Sequence, residues 1–208
     1  MDHLRAAGHD VLALREPGGT TVGEQIRALL IDPRHAELAP RAEMLLFAAS
    51  RAQLVAEVIL PALDRGRIVV SERYLDASLA YQGTGRGLGV DLVRSVNDVA
   101  TGGLRPDLTL LLDLDPETGL RRARAAARQA PNPSGGARAE HWDGGDRLER
   151  ESSAFHARVR EGFLALARIE PQRIRVIDAR RAVAEVQAEI TAAVEGLLQE
   201  RRRAGGRS

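Results

Sequence analysis

The sequence predicts an α/β fold built on a parallel sheet covered on both faces by helices. Three observations carry this reading. Short runs rich in Val, Ile and Leu alternate with longer segments of helical apolar spacing. The short runs are apolar almost throughout, as a strand buried on both faces reads, rather than at every second residue. The charged motifs fall directly after those runs, at the strands' carboxyl ends, where open α/β sheets bind ligands.

The elements follow in order. Val11 to Leu14 is the first predicted strand, and Arg15-Glu16-Pro17-Gly18-Gly19 follows it as a loop. Thr21 to Leu30 places Val22, Ile26, Leu29 and Leu30 at helical spacing. From Pro40 to Leu63, an apolar stripe through Met44, Phe47, Val55 and Ile59 predicts one long helix, bent near Pro61. Arg67 to Ser71 is the second strand, with Glu72-Arg73-Tyr74 after it. Asp91 to Ala100 is a helix, Asp107 to Leu114 a nearly continuous apolar strand, and Pro116 to Arg128 a helix with proline in its first turn. Arg173 to Asp178 and Ala182 to Arg201 make the last strand and the last helix.

Residues 129–147 break this rhythm with a Pro- and Gly-rich loop between two helices, flanked by Arg121, Arg122, Arg124, Arg128, Arg138 and Arg147. An arginine-studded loop beside a strand-end site reads as a lid, the alternative being a plain solvated insertion. The tail, residues 201–208, is expected to fray. One domain is expected to span residues 1–208.

Composition narrows the function. A chain of 208 residues with 44% hydrophobic and 28% charged residues has the profile of an ordinary globular domain with a sizeable core. Thirty basic residues against 29 acidic ones give a net charge of +1, so the chain is not built to coat nucleic acid. The absence of cysteine excludes disulfides, thiolate metal sites and a cysteine nucleophile. Every basic residue other than histidine is arginine. A chain without lysine forms no Schiff base and supplies no P-loop lysine, but its arginines can clamp phosphates bidentately. No apolar stretch of membrane-spanning length and no signal-like segment is expected, which makes the cytoplasm the expected location and a membrane an unexpected partner.

Several short segments carry candidate chemistry. Arg15-Glu16-Pro17-Gly18-Gly19-Thr20 sets two charges and two glycines past a strand, and the glycines let backbone amides approach a ligand. Phe47 and Arg51 lie four apart on one helix face, so a ring can stack on a flat ligand while the guanidinium reaches its polar edge. A core phenylalanine beside a surface arginine is the plainer alternative. Glu72-Arg73 offers a carboxylate for a metal or its waters and an arginine for a phosphate, or else a surface ion pair at a helix start. Ser78, Tyr81 and Gln82 follow closely, and a glutamine near a Phe–Arg pair suits reading a base edge. The five histidines show no ligand spacing.

Taken in order, these segments resemble one family, the thymidylate kinases, which transfer the γ-phosphoryl of ATP to dTMP. The matching segments are REPGGT (15–20), GEQIR (23–27), LLFAASRAQ (45–53), ERY (72–74), SLAYQGTGRG (78–87), PDLTLLLDL (106–114), DRLE (146–149) and VIDA (176–179). The resemblance implies the three-layer parallel sheet of the P-loop nucleoside-monophosphate kinases. It implies a stacking role for Phe47, base-edge contacts from Arg51 and Gln82 with Ser78 beside them, and a phosphate contact from Arg73. Arg15, Glu16 and Arg27 are implied on the sugar side of the nucleotide. Glu72 stands in the metal-binding position and would hold Mg²⁺ through water. Arg122, Arg124 and Arg147 match the arginines that stabilise the transferring phosphoryl, and Asp178 and Ala179 lie where adenine is bound. ATP, Mg²⁺ and a homodimer come with the family.

Family members open with a strand and a loop of the form G-x-x-x-x-G-K-[ST]. The segment Met1-Asp2-His3-Leu4-Arg5-Ala6-Ala7-Gly8 instead matches the end of the helix after that loop. The expectation is a sheet lacking its first, central strand and its P-loop, with two neighbouring strands left unpaired and the start set too late. Two alternatives stay open: another nucleoside-monophosphate kinase, and a dTMP-binding or dimerisation module without transfer.

Overall fold

Val11–Arg15 (β1) and Ile68–Glu72 (β2) pair in parallel, with Val11 opposite Ile68 and Arg15 opposite Glu72. Thr109–Asp113 (β3) and Ile174–Asp178 (β4) form a second parallel pair, from Thr109 opposite Ile174 to Asp113 opposite Asp178. All four strands lie on segments expected as strands. The computed structural model describes residues 1–129 and 145–205. Among these residues each strand bonds a single neighbour, so the strands form two separate parallel pairs, the interruption expected of a sheet without its central strand. Apolar side chains lie open on them: Val70 of β2 is 39% exposed and Leu112 of β3 is 51% exposed.

The helices begin and end where local chemistry requires. Asp2–Ala6 (α1) is short. Thr20 caps Thr21–Ile31 (α2), its hydroxyl accepting from the Gly23 amide at 2.9 Å. The expected long helix is present in three parts: Pro40–Leu54 (α3), a π-helical turn at Val55–Ile59, and Leu60–Asp64 (α4). The irregularity has a cause in the sequence. Pro61 has no N–H to donate, and its ring crowds the carbonyl four residues back, at Glu57 inside the widened turn. By length and composition, Pro40–Asp64 is apolar enough to cross a membrane, which corrects the expectation that no stretch is. Here it carries core residues Met44, Leu54 and Ile59 together with the buried charges Glu43 and Arg51.

Leu75–Ser78 (α5) runs into a second π-helical segment, Leu79–Gly85, for which the sequence predicts no element. Helix propensity argues against Gly83-Thr84-Gly85, and tertiary packing overrides it. The segment lies against Ser153–Ile169 (α8), where a Cβ on Gly162 would come within 2.8 Å of the Thr84 hydroxyl. Val90–Thr101 (α6) stops at left-handed Gly102 (φ +60°). Pro116–Gln129 (α7) starts behind Asp115, whose carboxylate accepts from the Thr118 amide at 2.9 Å. Val183–Gly205 (α9) carries the expected fraying tail as ordered helix to Gly205, and Arg201 pairs there with Asp107. Residues 130–144, most of the expected lid with Arg138, lie outside the described residues, as do residues 206–208.

One core cluster joins α3, α5, α6 and α8 through Met44, Leu75, Leu79, Val93 and Leu166. A second, Leu54, Val55 and Ile59, supports the β1–β2 pair through Leu14 and Val69. Buried Asp76 ties α5 to the other pair, accepting from Arg173 at 2.7 and 2.8 Å and from Thr109 at 2.8 Å. Both strand pairs are thereby held with their carboxyl ends against one opening.

Candidate active site

A cavity of about 520 Å³ opens past those carboxyl ends. β1 delivers Arg15 and Glu16, β2 delivers Glu72 and Arg73, and α3 brings Phe47 and Arg51. α5 and the π-helical segment after it add Ser78, Tyr81 and Gln82, and α2 adds Arg27. Nine of these ten, all but Tyr81, were expected at one site, and all ten line this cavity.

Their surroundings assign different roles. Arg73 is exposed, at φ +69°, a backbone conformation that costs a non-glycine residue energy. Its guanidinium lies 5.2 Å from the centroid of the Tyr81 ring, which orients it at the cavity. The Tyr81 ring is itself packed edge-on by Phe155 and Phe163. Arg27 donates to the Pro17 carbonyl at 2.9 Å. Arg15 donates twice to Glu24, at 2.9 and 2.8 Å, so its charge is already shared.

Arg51 is 1% exposed and fully engaged. Its Nε is 2.6 Å from Glu16, one terminal nitrogen donates to Ser78 at 3.1 Å and to Asn97, and the other faces the Tyr74 carbonyl at 3.5 Å. Glu16 is therefore a wall residue whose carboxylate is held by Arg51. Burial pushes its pKa above the usual carboxylate value, and Arg51 offsets that only in part. Partial burial pushes the Tyr74 phenol up to about 12.

Beside this wall sits Glu43, fully buried. Its Oε1 accepts from Gln82 Nε2 at 2.8 Å and from Arg86 Nε at 3.1 Å. Its Oε2 meets a terminal nitrogen of Arg86 at 2.8 Å and Nη1 of Arg147 at 2.7 Å. Burial alone would raise its pKa; the hydrogen bonds from Arg86 and Gln82 and the field of Arg147 outweigh it and hold the carboxyl below its usual range.

The family model for thymidylate kinase matches residues 1–190. The chain is 53% identical to the thymidylate kinase of Deinococcus radiodurans, over 92% of this chain and 84% of that protein. It is 51% identical to that of Syntrophotalea carbinolica, over 89% of this chain and 81% of the relative. Against that of Desulfovibrio desulfuricans it is 49% identical over 97% of this chain and 89% of the relative. The chain belongs to the thymidylate kinase family.

Two arginines that the thymidylate kinase resemblance assigns to phosphoryl transfer sit elsewhere. Arg147 is buried, clamped on Glu43 and donating its Nε to the Leu30 carbonyl at 2.8 Å, so it braces α2 and α3 rather than facing the cavity. Arg122 is exposed outside the cavity and donates to the Ala179 carbonyl at 2.9 Å. Asp178 pairs with Arg180 at 2.8 Å, and neither Asp178 nor Ala179 lines the cavity. The Arg124 side chain lies outside the described residues.

Three residues went unanticipated. Asn97 holds Arg51 from α6, and its signal was an amide beside Val93 and Val96 on an apolar helix face. Glu43 had one too: Glu43, Phe47 and Arg51 recur at intervals of four, on one face of α3. Arg160 of α8 grips Asp113 at 2.7 and 2.8 Å on the cavity rim, and no pattern in the sequence marked it.

Proposed function

We infer that this chain transfers the γ-phosphoryl of ATP to dTMP, giving dTDP, and that the cavity is the acceptor site. The observation that carries this is Phe47, Gln82 and Arg73 on one cavity: a ring for the base face, an amide for its edge, and an exposed cation for the phosphate. Arg27 and Glu16 fit the sugar side. Arg73 would hold the dTMP phosphate in line for attack and offset charge gathering there.

Mg²⁺ belongs to this reading. Among the described residues no three carboxylates or histidines gather to hold a metal. Magnesium keeps most of its waters and asks for one or two carboxylates, which suits Glu72, exposed at the end of β2 on the cavity. When bound, the ion would neutralise phosphate charge. A homodimer is also part of the reading, supported by exposed Val22 and Leu29 on α2 and exposed Leu45 on α3.

A second reading is dTMP capture without transfer, and one assay separates the two. The test is a transfer assay with ATP, Mg²⁺ and dTMP, dUMP, dCMP or dGMP, run beside calorimetry with each nucleotide. The transfer reading expects dTDP as the main product and its loss in Arg73→Ala. Binding of dTMP without any dTDP would hand the site to the second reading, and equal use of dGMP would overturn both. Light scattering at twice the 22.5 kDa of one chain is the expected mass.

A further inference from the structure

Glu43 touches no expected ligand and nothing in the proposed transfer requires it, yet it is the most heavily hydrogen-bonded carboxylate beside the site. Two arginines surround it and keep it ionised, so it accepts hydrogen bonds and donates none. Gln82 is the consequence. With an acceptor-only carboxylate 2.8 Å away, its amide must turn the NH₂ group toward Glu43. Rotating the amide half a turn would set two oxygens at that distance and cost a charge-assisted hydrogen bond as well. Gln82 is 1% exposed and lines the cavity, and with one N–H committed to Glu43 the amide is fixed in orientation, leaving its carbonyl oxygen and second N–H for a ligand.

We propose that Glu43 is a specificity-determining positioning residue. By locking the Gln82 amide with its oxygen toward the cavity, it makes the site accept bases that present a ring N–H donor and reject those that present a lone pair there. The proposal rests on the reading of the cavity as a pyrimidine deoxynucleotide site. Thymine and uracil carry a hydrogen on N3, which Gln82 Oε1 accepts. Cytosine has a lone pair at N3, and two acceptors would then face each other. A site built around one polar orientation leaves its own groups unpaired when the wrong partner enters, and such sites discriminate strongly. The selecting charge is thus one residue removed from the base.

The experiment compares kcat/KM for dTMP, dUMP and dCMP in the unaltered protein and in Glu43→Gln, where the new amide can donate as well as accept and Gln82 is free to turn. The dTMP-to-dCMP ratio should fall by about tenfold or more, the worth of one hydrogen bond, while the dTMP-to-dUMP ratio stays put. A purely structural role would lower all three alike, and an unchanged dTMP-to-dCMP ratio in folded Glu43→Gln overturns the proposal. Absence of dTMP turnover in the unaltered protein would count against the transfer reading instead, and the same ratios can then be read from dissociation constants.

A second measurement covers the case in which Glu43→Gln fails to fold. In ¹⁵N-labelled unaltered protein, the Gln82 side-chain NH₂ is identified by its loss in Gln82→Met. One of its two protons should be protected from solvent exchange without any nucleotide, because Glu43 accepts it. Rapid exchange of both that becomes slow only when dTMP is added would mean the NH₂ faces the cavity, and would overturn the proposal.

Discussion

Glu16 and Glu43 are both buried carboxylates against arginine, within reach of one cavity, and their ionisation shifts in opposite directions. Glu16 has a single arginine, which it shares with Ser78 and Asn97, and burial wins. Glu43 has two arginines and an amide, and the donors win. Glu43 meets more donors and carries the smaller desolvation penalty, so donor count and depth of burial together decide whether a buried acid keeps its charge. The Glu43 cluster is a finished clamp. The Glu16–Arg51 wall is under-coordinated, as suits a surface awaiting a ligand.

Removing an arginine from each side tests that contrast, and the larger effect belongs to the wall. Arg51→Met strips Glu16 of its only counter-charge, and breaking a buried pair in this way costs about 3–5 kcal/mol. The cost should depend on pH. Because the folded-state pKa of Glu16 is raised, the folded protein binds the proton more readily than the unfolded chain, and stability falls as pH rises through the window above the ordinary carboxylate value. Losing Arg51 raises that pKa further, so urea denaturation should find Arg51→Met more damaged at pH 8 than at pH 5. Equal damage at both would mean that Glu16 is not the group left stranded.

Arg147→Met should be milder, about 1.5–3 kcal/mol, because Glu43 keeps Arg86 and Gln82. Its pH dependence has the other sign. A depressed folded-state pKa gives stability that is complete above the ordinary carboxylate value and is lost as pH falls through the folded one, so no slope is expected between pH 5 and 8. The kinetics also separate brace from catalyst. A group aimed at developing charge costs about a hundredfold or more in kcat when removed, and a brace costs far less. A hundredfold loss in folded Arg147→Met would restore this arginine to the reacting phosphoryl.

The same contrast explains what could be read from the sequence. The four strands were legible because unbroken apolar runs such as Leu110-Leu111-Leu112 report burial directly, and the cavity residues because they follow those strands. Phe47, Arg73 and Gln82 stand together as expected. Contacts between distant segments were not legible. Arg147 lies beside an arginine-rich loop in sequence, and only the fold shows it reaching back to Leu30 and Glu43. The Leu79–Gly85 helix was hidden because Gly85 serves a close approach to α8 and Gly83 one to Gly89 and Val90, which no local pattern records. Strand pairing across the sheet was hidden too, since apolar runs identify strands without saying which are neighbours.

The smallest expected effect sharpens the account of the wall as under-coordinated. Besides the Glu16–Arg51 pair, the loop that carries Glu16 is tied to α3 by a buried hydrogen bond, the Gly18 amide donating to the Ser50 hydroxyl at 3.2 Å. Ser50 is fully buried one residue before Arg51, so the same turn of α3 holds both the loop and the guanidinium its carboxylate meets. Ser50→Ala leaves that amide without its acceptor, which costs about 1 kcal/mol or somewhat more and lowers Tm by about 2–4 °C for a domain of this size. If the wall has donors to spare, as the Glu43 clamp does, the loop will find another partner and Tm will not move. A Tm drop together with a raised KM for dTMP is the outcome the sparse wall predicts, because a loosened loop lets Glu16 drift from Arg51 at the cavity surface.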